Sequence, residues 1–327
     1  MKENEIRPAD LRKKCEELFR KDAKDLLSFS NEFTEVNCPA CNKKNESINF
    51  IKNGYIFKKC TSCRTLYISP RPTPSLLGHY YKNSRAAKFW QTHMFPKTRD
   101  VRVEKIYKPR VDIILNLVRK YKMKTDLLID VGAGSGFFGE EVAKRNIFKK
   151  IILIEPGPIE IKTTQAIEVI NDTIENVKLN VKSNVVTSFE IIEHLFLPRD
   201  FLKNIYNLLG DNSSLILTTP NIEGFELITL NKKSINVAGP DHLNYFNPES
   251  LKILLEKTGF KNVVVFTPGE LDADIVRNKH LEGTINISKQ PFLHYILIEH
   301  PEKYLNSFQC FLKECNLSSH MLAVGKK

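Results

Sequence analysis

The sequence predicts an α/β protein: a doubly wound parallel sheet with helices on both faces, preceded by a small metal-bound ribbon and a helical segment. Three observations carry that expectation. From residue 126 onward short apolar runs alternate with helical patterns; the first run, LLIDV, leads straight into GAGSG; and upstream four cysteines fall as C-x2-C, eighteen residues, C-x2-C. Strands alternating with helices build a parallel sheet. With 327 residues and 42% hydrophobic content the chain can bury a full core, and its length suggests about two domains.

Taken in order, residues 1–35 form a leading helix, because Leu11, Cys15, Leu18, Phe19 and Leu26 recur at helical spacing, with Cys15 a filler on the apolar face. Residues 36–70 form the ribbon. Cys38, Cys41, Cys60 and Cys63 are paired two apart, the spacing of tight turns that present soft thiolate ligands to a tetrahedral Zn²⁺. All four ligand positions are then filled, so the expected metal is structural. Between the pairs, Ile48, Phe50, Tyr55 and Phe57 alternate around Asn53-Gly54, a hairpin pattern. Pro70, Pro72 and Pro74 mark a connector that ends in a helix start capped by Thr73.

Residues 71–124 are a basic helical linker or lid, with helices over about 84–95 and 100–122. Residues 38–125 hold 20 Lys/Arg against 4 Asp/Glu, and both flanks are slightly acidic, so the net charge of +11 belongs to this stretch. It points to nucleic acid, to a smaller anion such as a nucleotide diphosphate, or to solvated lysines with no partner. Arg71, Arg85, Lys88, Arg99, Arg102 and Arg110 are candidates to hold a diphosphate. No apolar stretch approaches the roughly 18 residues of a membrane span, and MKENEIRPADLRKK lacks the apolar centre of a signal peptide, so a cytoplasmic protein is expected.

Residues 125–327 form the sheet domain. LLIDV pairs with GEEVAKRN, IILIEP with PIEIKTTQA, NVVTSF with RDFLKNIYNLL and SLILTTP with PESLKILLEKTG, followed by VVVFTP. Residues 270–316 read as a helical insertion whose Leu271, Ile275, Phe292, Tyr295, Ile296, Tyr304, Phe308 and Phe311 are available for an acceptor wall or a dimer contact. Cys310 and Cys315 are expected to be buried there. Ligands of such sheets sit at the carboxyl ends of the strands.

Gly132, Gly134 and Gly136 occupy every second position behind Asp130, directly after the first strand. Phe137 stands where a dinucleotide fingerprint needs its third glycine, and no Gly-Lys-Ser/Thr follows, so neither NAD nor a nucleoside triphosphate is expected. The stretch DVGAGSG resembles the first motif of class I S-adenosylmethionine-dependent methyltransferases. The resemblance implies a seven-stranded sheet closed by an antiparallel last strand, SSHMLAVGKK. It also implies that the Asp130 region meets the amino-acid end of the cofactor while the three glycines, with Phe137 beside them, let the loop wrap it. Glu155, in LIEPGP, is expected to accept both ribose hydroxyls, with Pro156 adjacent. The resemblance further places Asp172 near the adenine amino group, with Thr173 lending a backbone N–H. Asn184 stands where relatives often carry Asp, leaving Ser188, Phe189 and Glu190 as the expected cofactor contacts after the fourth strand.

A four-cysteine ribbon ahead of such a domain, together with DHLNYFNPESLKILLEKTGF, resembles bacterial methyltransferases of surface-glycan and deoxysugar pathways. Methyl transfer to a hydroxyl or carbon acid needs alignment and removal of a proton, a task suited to histidine. His194 and His242 are the candidates, each with a bracing role as its alternative. Asp241 is placed to orient His242, and Tyr245 to pack or to donate a proton. The expected function is methylation of a small acceptor such as an anionic nucleotide-linked sugar. An RNA methyltransferase docked through ribbon and basic segment, or a cofactor-binding protein without turnover, are the alternatives.

Overall fold

The computed structural model describes residues 1–161 and 164–327. In chain order its strands are β1 (Glu46–Lys52), β2 (Tyr55–Cys60), β3 (Leu66–Ile68), β4 (Leu127–Val131), β5 (Lys150–Ile154), β6 (Ile167–Ile170), β7 (Ser183–Phe189), β8 (Leu209–Pro220), β9 (Asn244–Tyr245), β10 (Lys261–Phe266) and β11 (His320–Lys326). The chain divides into two units. One comprises Met1–Arg99, Pro220–Ser250 and Phe266–Met321; the other comprises Asp100–Thr219, Leu251–Val265 and Leu322–Lys327. Ribbon, helical insertion and the loop after β8 therefore belong to one unit, where a division at residues 35, 70 and 124 had separated them.

The first unit contains a four-stranded sheet in the order β1-β2-β3-β9. Its hairpin turns at Asn53 and Gly54, both at positive φ (+51° and +84°), the backbone a two-residue turn requires. A Cβ on Gly54 would lie 2.4 Å from Leu27 Cδ1, so the turn also seats the leading helix, Ala9–Leu27. Phe50 stacks on Phe57 with ring centroids 4.7 Å apart. Ile48, expected to alternate with Phe50, is 65% exposed because a register shift between them breaks the period of two. β9 closes the sheet by pairing Tyr245 with Leu66 and Asn244 with Tyr67.

Arg71 lies fully buried under this sheet. Its guanidinium donates to the carbonyls of Ile68 (2.9 Å) and Leu243 (3.4 Å) and to Asn244 Oδ1 (3.0 Å). Arg85 pairs with Asp22 (2.7 Å) and Asp25. Both are therefore removed from the diphosphate candidates, since their donors hold the fold together. Thr73 caps the helix Pro74–Asn83 as expected, its hydroxyl accepting the Leu76 N–H. The helices expected over 84–95 and 100–122 appear as Arg85–Phe89, Phe95–Arg102 and Lys108–Lys120, joined by wider π-helical turns.

The insertion folds as Asp272–Leu281, Pro291–His294 and Pro301–Glu314 around a core shared with Phe225 and Leu230 of the helix Phe225–Leu230, in which Ile275 and Ile296 are buried and Leu271, Tyr304 and Phe308 pack against them. Those five are thus accounted for by packing within this unit, while Phe292, Tyr295 and Phe311 are exposed. Cys310 and Cys315 are exposed, against the expected burial, because the helix Pro301–Glu314 turns Gln309 and Leu312 inward.

The second unit is built on a seven-stranded sheet in the order β10-β11-β8-β7-β4-β5-β6. β4 runs parallel to β5 and to β7, β6 parallel to β5, and β8 parallel to β7. All five residues of β4 are buried, as a strand flanked by parallel neighbours should be. Asn221 donates to the Ser319 carbonyl and Lys327 to that of Ser213, so β11 runs antiparallel to β8. From β4 the chain proceeds outward to β5 and β6, then returns to β7 on the other side of β4. That reversal creates the crevice at the carboxyl ends of β4 and β7. The helix expected at 158–166 is absent from its described residues, 158–161 and 164–166; residues 162 and 163 lie outside the description. The β-branched Ile159 and Ile161 weaken it slightly, and the Glu160 N–H instead bonds the Ser135 carbonyl. Among the described residues, no helix is long and apolar enough to cross a membrane.

Candidate cofactor site and cysteine centre

At the end of β4 the backbone enters the left-handed region three times, at Gly132 (φ +75°), Gly134 (φ +55°) and Gly136 (φ +84°). A Cβ at Gly132 would sit 2.2 Å from Ile191 Cδ1, and one at Gly136 about 3 Å from Ile159 and Ile161; Gly134 instead borders open space. The three glycines thus have different tasks. Two let the protein close on itself, and the central one leaves room for a ligand against bare backbone.

Glu155, just past β5, organises that central position. One carboxylate oxygen accepts the Gly134 N–H and the other the Gly157 N–H, each at 2.8 Å. Each oxygen retains a second lone pair, so the carboxylate is held in place with capacity for two hydroxyl donors. Pro156 follows it on the surface. Phe137 is 2% exposed and packs edge-on against Tyr107, so its ring is a support beneath the loop.

Asp130 is only 1% exposed, and Thr187 of β7 donates to it at 2.7 Å. Burial raises its pKa to about 7, against the lowering effects of the Thr187 hydrogen bond and Arg110. Its contact is therefore inward, tying β4 to β7, and what it offers a ligand passes through the loop it anchors. Ser188 and Phe189 end β7 nearly buried, with the Arg110 guanidinium 4.5 Å from the Phe189 ring centre. Glu190 adopts φ +55°, an uncommon conformation for a residue with a side chain, and accepts the Thr218 hydroxyl at 2.6 Å. Asp172 accepts both the Thr173 N–H (2.7 Å) and the Asn176 amide (2.8 Å) on Oδ1. The Thr173 N–H thus has a local acceptor, contrary to the expectation that it is offered to a ligand. Asn184 accepts the Leu127 N–H at the opposite end of β4, and so its work is structural.

Sequence reasoning missed Glu193, Thr187, Thr218 and Thr219. Glu193 is fully buried, accepts the Thr219 hydroxyl at 2.8 Å, and is raised to about 8 by burial and by Glu190. His194 follows it, one quarter exposed, with Nε2 3.9 Å from Glu193 Oε1. A neighbouring acid pair, E-x-x-E at 190 and 193, was the available signal. Its partners come from the adjacent strand, whose register the sequence does not display.

These raised values carry a sign. A carboxyl group whose folded pKa lies above its unfolded value favours folding in its protonated form, so its contribution falls as pH rises from about 4 to the folded pKa. The unliganded protein is expected to lose stability between pH 5 and 8. Asp130→Asn, which keeps an acceptor for Thr187, should flatten that fall; equal slopes for variant and parent in urea titrations at pH 6 and 8 would contradict it.

In the other unit, Cys38, Cys41, Cys60 and Cys63 are all buried, with every sulfur within 4.8 Å of the others. Cys38 and Cys63 approach to 3.4 Å and Cys41 and Cys60 to 3.6 Å. A tetrahedron with metal–sulfur bonds of about 2.3 Å has edges of roughly 3.8 Å, so the donor set fits a tetrahedral thiophilic ion. The two turns are copies of one another. Asn42 (φ +64°) returns its N–H to the Cys38 carbonyl, and Arg64 (φ +59°) returns its N–H to that of Cys60, both at 2.9 Å. Arg64→Gly, which removes the strain of a side chain at positive φ but also the ion pairs to Glu223 and Glu249, is expected to change stability by less than about 1 kcal/mol in urea unfolding.

His242 belongs to this same unit. Its Nδ1 faces the Asn236 carbonyl at 3.0 Å, and since a carbonyl only accepts, it is Nδ1 that carries a proton in this arrangement. The acceptor facing Nδ1 is thus this carbonyl, where Asp241 had been expected; the Asp241 carbonyl accepts the Tyr81 hydroxyl at 3.3 Å. Tyr245 is wholly buried and its hydroxyl accepts the Ala238 N–H at 2.8 Å, which makes it a brace beneath the loop, the packing role of the two expected for it.

Residues 104–265 match the family model described as a methyltransferase domain. A curated relative, the mitochondrial ubiquinone biosynthesis O-methyltransferase of Schizosaccharomyces pombe, is 29% identical over 101 residues, 28% of this chain and 37% of that protein. The chain thus spans little more than a third of the curated relative it matches. Similar solved structures include a SAM-dependent methyltransferase from Archaeoglobus fulgidus (21% identity, 66% of this chain and 94% of that one, TM-score 0.42). Another is the Burkholderia thailandensis 1,6-didemethyltoxoflavin-N1-methyltransferase (11% identity, 86% and 99%, TM-score 0.48). By its match to the family model, and with the strand order and glycine loop described above, residues 104–265 form a methyltransferase domain.

Proposed function

We propose that the protein is a cytoplasmic S-adenosylmethionine-dependent methyltransferase acting on a small acceptor, a nucleotide-linked sugar or related glycan precursor. The observation that carries the reading is Glu155, whose carboxylate is fixed by Gly134 and Gly157 beside backbone that borders open space. A sulfonium cofactor has no phosphate, so it needs close backbone approach and a carboxylate for its ribose in place of a phosphate cradle. The domain's own residues would hold it: the 132–136 loop, Glu155, Asp172 and the end of β7. The bound cofactor supplies the methyl group; the chain aligns the acceptor and takes its proton.

His194 and His242 are the two candidates for that proton. His242 has its tautomer set by the Asn236 carbonyl, the arrangement a general base needs. His242→Gln is expected to lower turnover at least ~100-fold, the usual scale of general-base catalysis, with cofactor affinity within twofold. An unaffected rate would remove it from the reaction.

The four cysteines hold a structural Zn²⁺ in this reading, supported by the closed, all-sulfur donor set. The acceptor class is tested by incubating the enzyme with labelled cofactor and a panel of nucleotide sugars. Methyl incorporation into one of them supports the reading, while incorporation into RNA, or RNA binding that weakens steeply with salt, would replace it. Against RNA, several cations of the basic stretch already have internal partners: Lys58 with Glu35 and Glu46, Arg64 with Glu223 and Glu249, and Arg85 with Asp22.

A further inference from the structure

The segment from Ser234 to His242 contains no strand or helix, yet it carries a histidine in a defined tautomer. Besides Tyr245 and Tyr81, two side chains outside it hold its first half. Lys52, the last residue of β1 in the cysteine ribbon, donates from Nζ to the carbonyls of Ser234 (2.7 Å) and Val237 (2.6 Å). Glu226, 2% exposed on the short helix Phe225–Leu230, accepts the Ser234 hydroxyl on one oxygen (2.5 Å) and the Asn236 side-chain amide on the other (2.9 Å). Ser234 Oγ in turn accepts the Asn236 N–H at 3.0 Å.

Asn236 is thereby held at its side chain by Glu226 and at its N–H by Ser234, and the Ser234 and Val237 carbonyls that flank it are pinned through Lys52. What remains is its carbonyl, and that is the group facing His242 Nδ1. We propose that Lys52 and Glu226 are positioning residues for His242, fixing the Asn236 carbonyl so that the imidazole carries its proton on Nδ1 and presents Nε2 as the acceptor. The ribbon then has a task beyond its metal: its hairpin reaches into the loop and sets the orientation of the proposed base. Burial works against both charges, lowering Lys52 to about 8 and raising Glu226 to about 7. Such groups are retained in a fold only where their hydrogen bonds are made.

The contribution to turnover rests on the role given to His242 above; the contribution to its tautomer does not. The test is ¹⁵N spectroscopy of histidine-labelled, metal-loaded full-length protein, with the His242 signals identified by their loss in His242→Gln. The wild type should show a protonated Nδ1 and an unprotonated Nε2 at neutral pH. Lys52→Met should collapse that pair toward the averaged shifts of an exchanging ring and reduce kcat at least tenfold, with KM for the cofactor within twofold. Lys52→Arg, which can still donate to both carbonyls, should recover the fixed tautomer. Should Lys52→Met fail to fold, Glu226→Leu reads the same signals, because it removes the acceptor of both the Ser234 hydroxyl and the Asn236 amide. Unchanged His242 signals in either folded variant would overturn the proposal. Normal turnover of His242→Gln would instead overturn its catalytic role and leave the spectroscopic result standing.

Discussion

Glu155→Ala is expected to weaken S-adenosylmethionine binding by about 100-fold or more in equilibrium titrations, with the circular dichroism spectrum unchanged. Hydrogen bonds to a charged partner contribute about 1.5–3 kcal/mol each, and this carboxylate is proposed to accept two from the ribose. The substitution also frees the N–H groups of Gly134 and Gly157 from their acceptor, so the loop loses its register at the one glycine that borders open space. Glu155→Gln should fall between. Its single carbonyl oxygen satisfies one of the two N–H groups, while its NH₂ opposes the other. Affinity retained within threefold by both variants would show that this strand end does not hold the ribose.

The second large effect concerns the cysteines. Cys60→Ser removes one thiolate of four, and structural zinc contributes about 10–16 kcal/mol of apparent binding free energy in small domains. That is as large as the whole stability of a typical domain. The ribbon sheet is expected to unfold, taking with it β9, the edge strand that pairs with β3, and the Asn247 amide that donates to the Cys63 carbonyl at 3.0 Å. The single tryptophan, Trp90, lies in the same unit and should report the change as a red-shifted emission. Chelation of the wild type should do likewise without abolishing cofactor binding by the methyltransferase domain. Retention of native emission by Cys60→Ser would contradict a metal-dependent ribbon, and simultaneous loss of cofactor binding would contradict the division into two units.

What the sequence made legible follows from locality. The cysteine spacing, the Asn53-Gly54 turn, the Thr73 cap and the alternate glycines each express their meaning within a few residues, and each appears where expected. Strand existence was equally legible, since buried parallel strands are continuous apolar runs. The failures share a different cause. Thr187, Thr218 and Thr219 matter because neighbouring strands bring them to Asp130, Glu190 and Glu193, and inter-strand register has no local signature. Arg71 read as a free guanidinium in a basic stretch, but its partners at 243 and 244 lie more than 170 residues away. A two-residue strand such as β9 has no period to detect, so its membership in the ribbon sheet was invisible.

The central claim is that a backbone loop freed of side chains, with a fixed carboxylate on the next strand, holds S-adenosylmethionine. Isothermal titration of the folded, metal-loaded protein tests it most directly. The account predicts saturable heat with one cofactor per chain, abolished in Gly134→Val, where a branched side chain would fill the open space at a positive φ. No heat from the wild type, or undiminished heat from the variant, would contradict it.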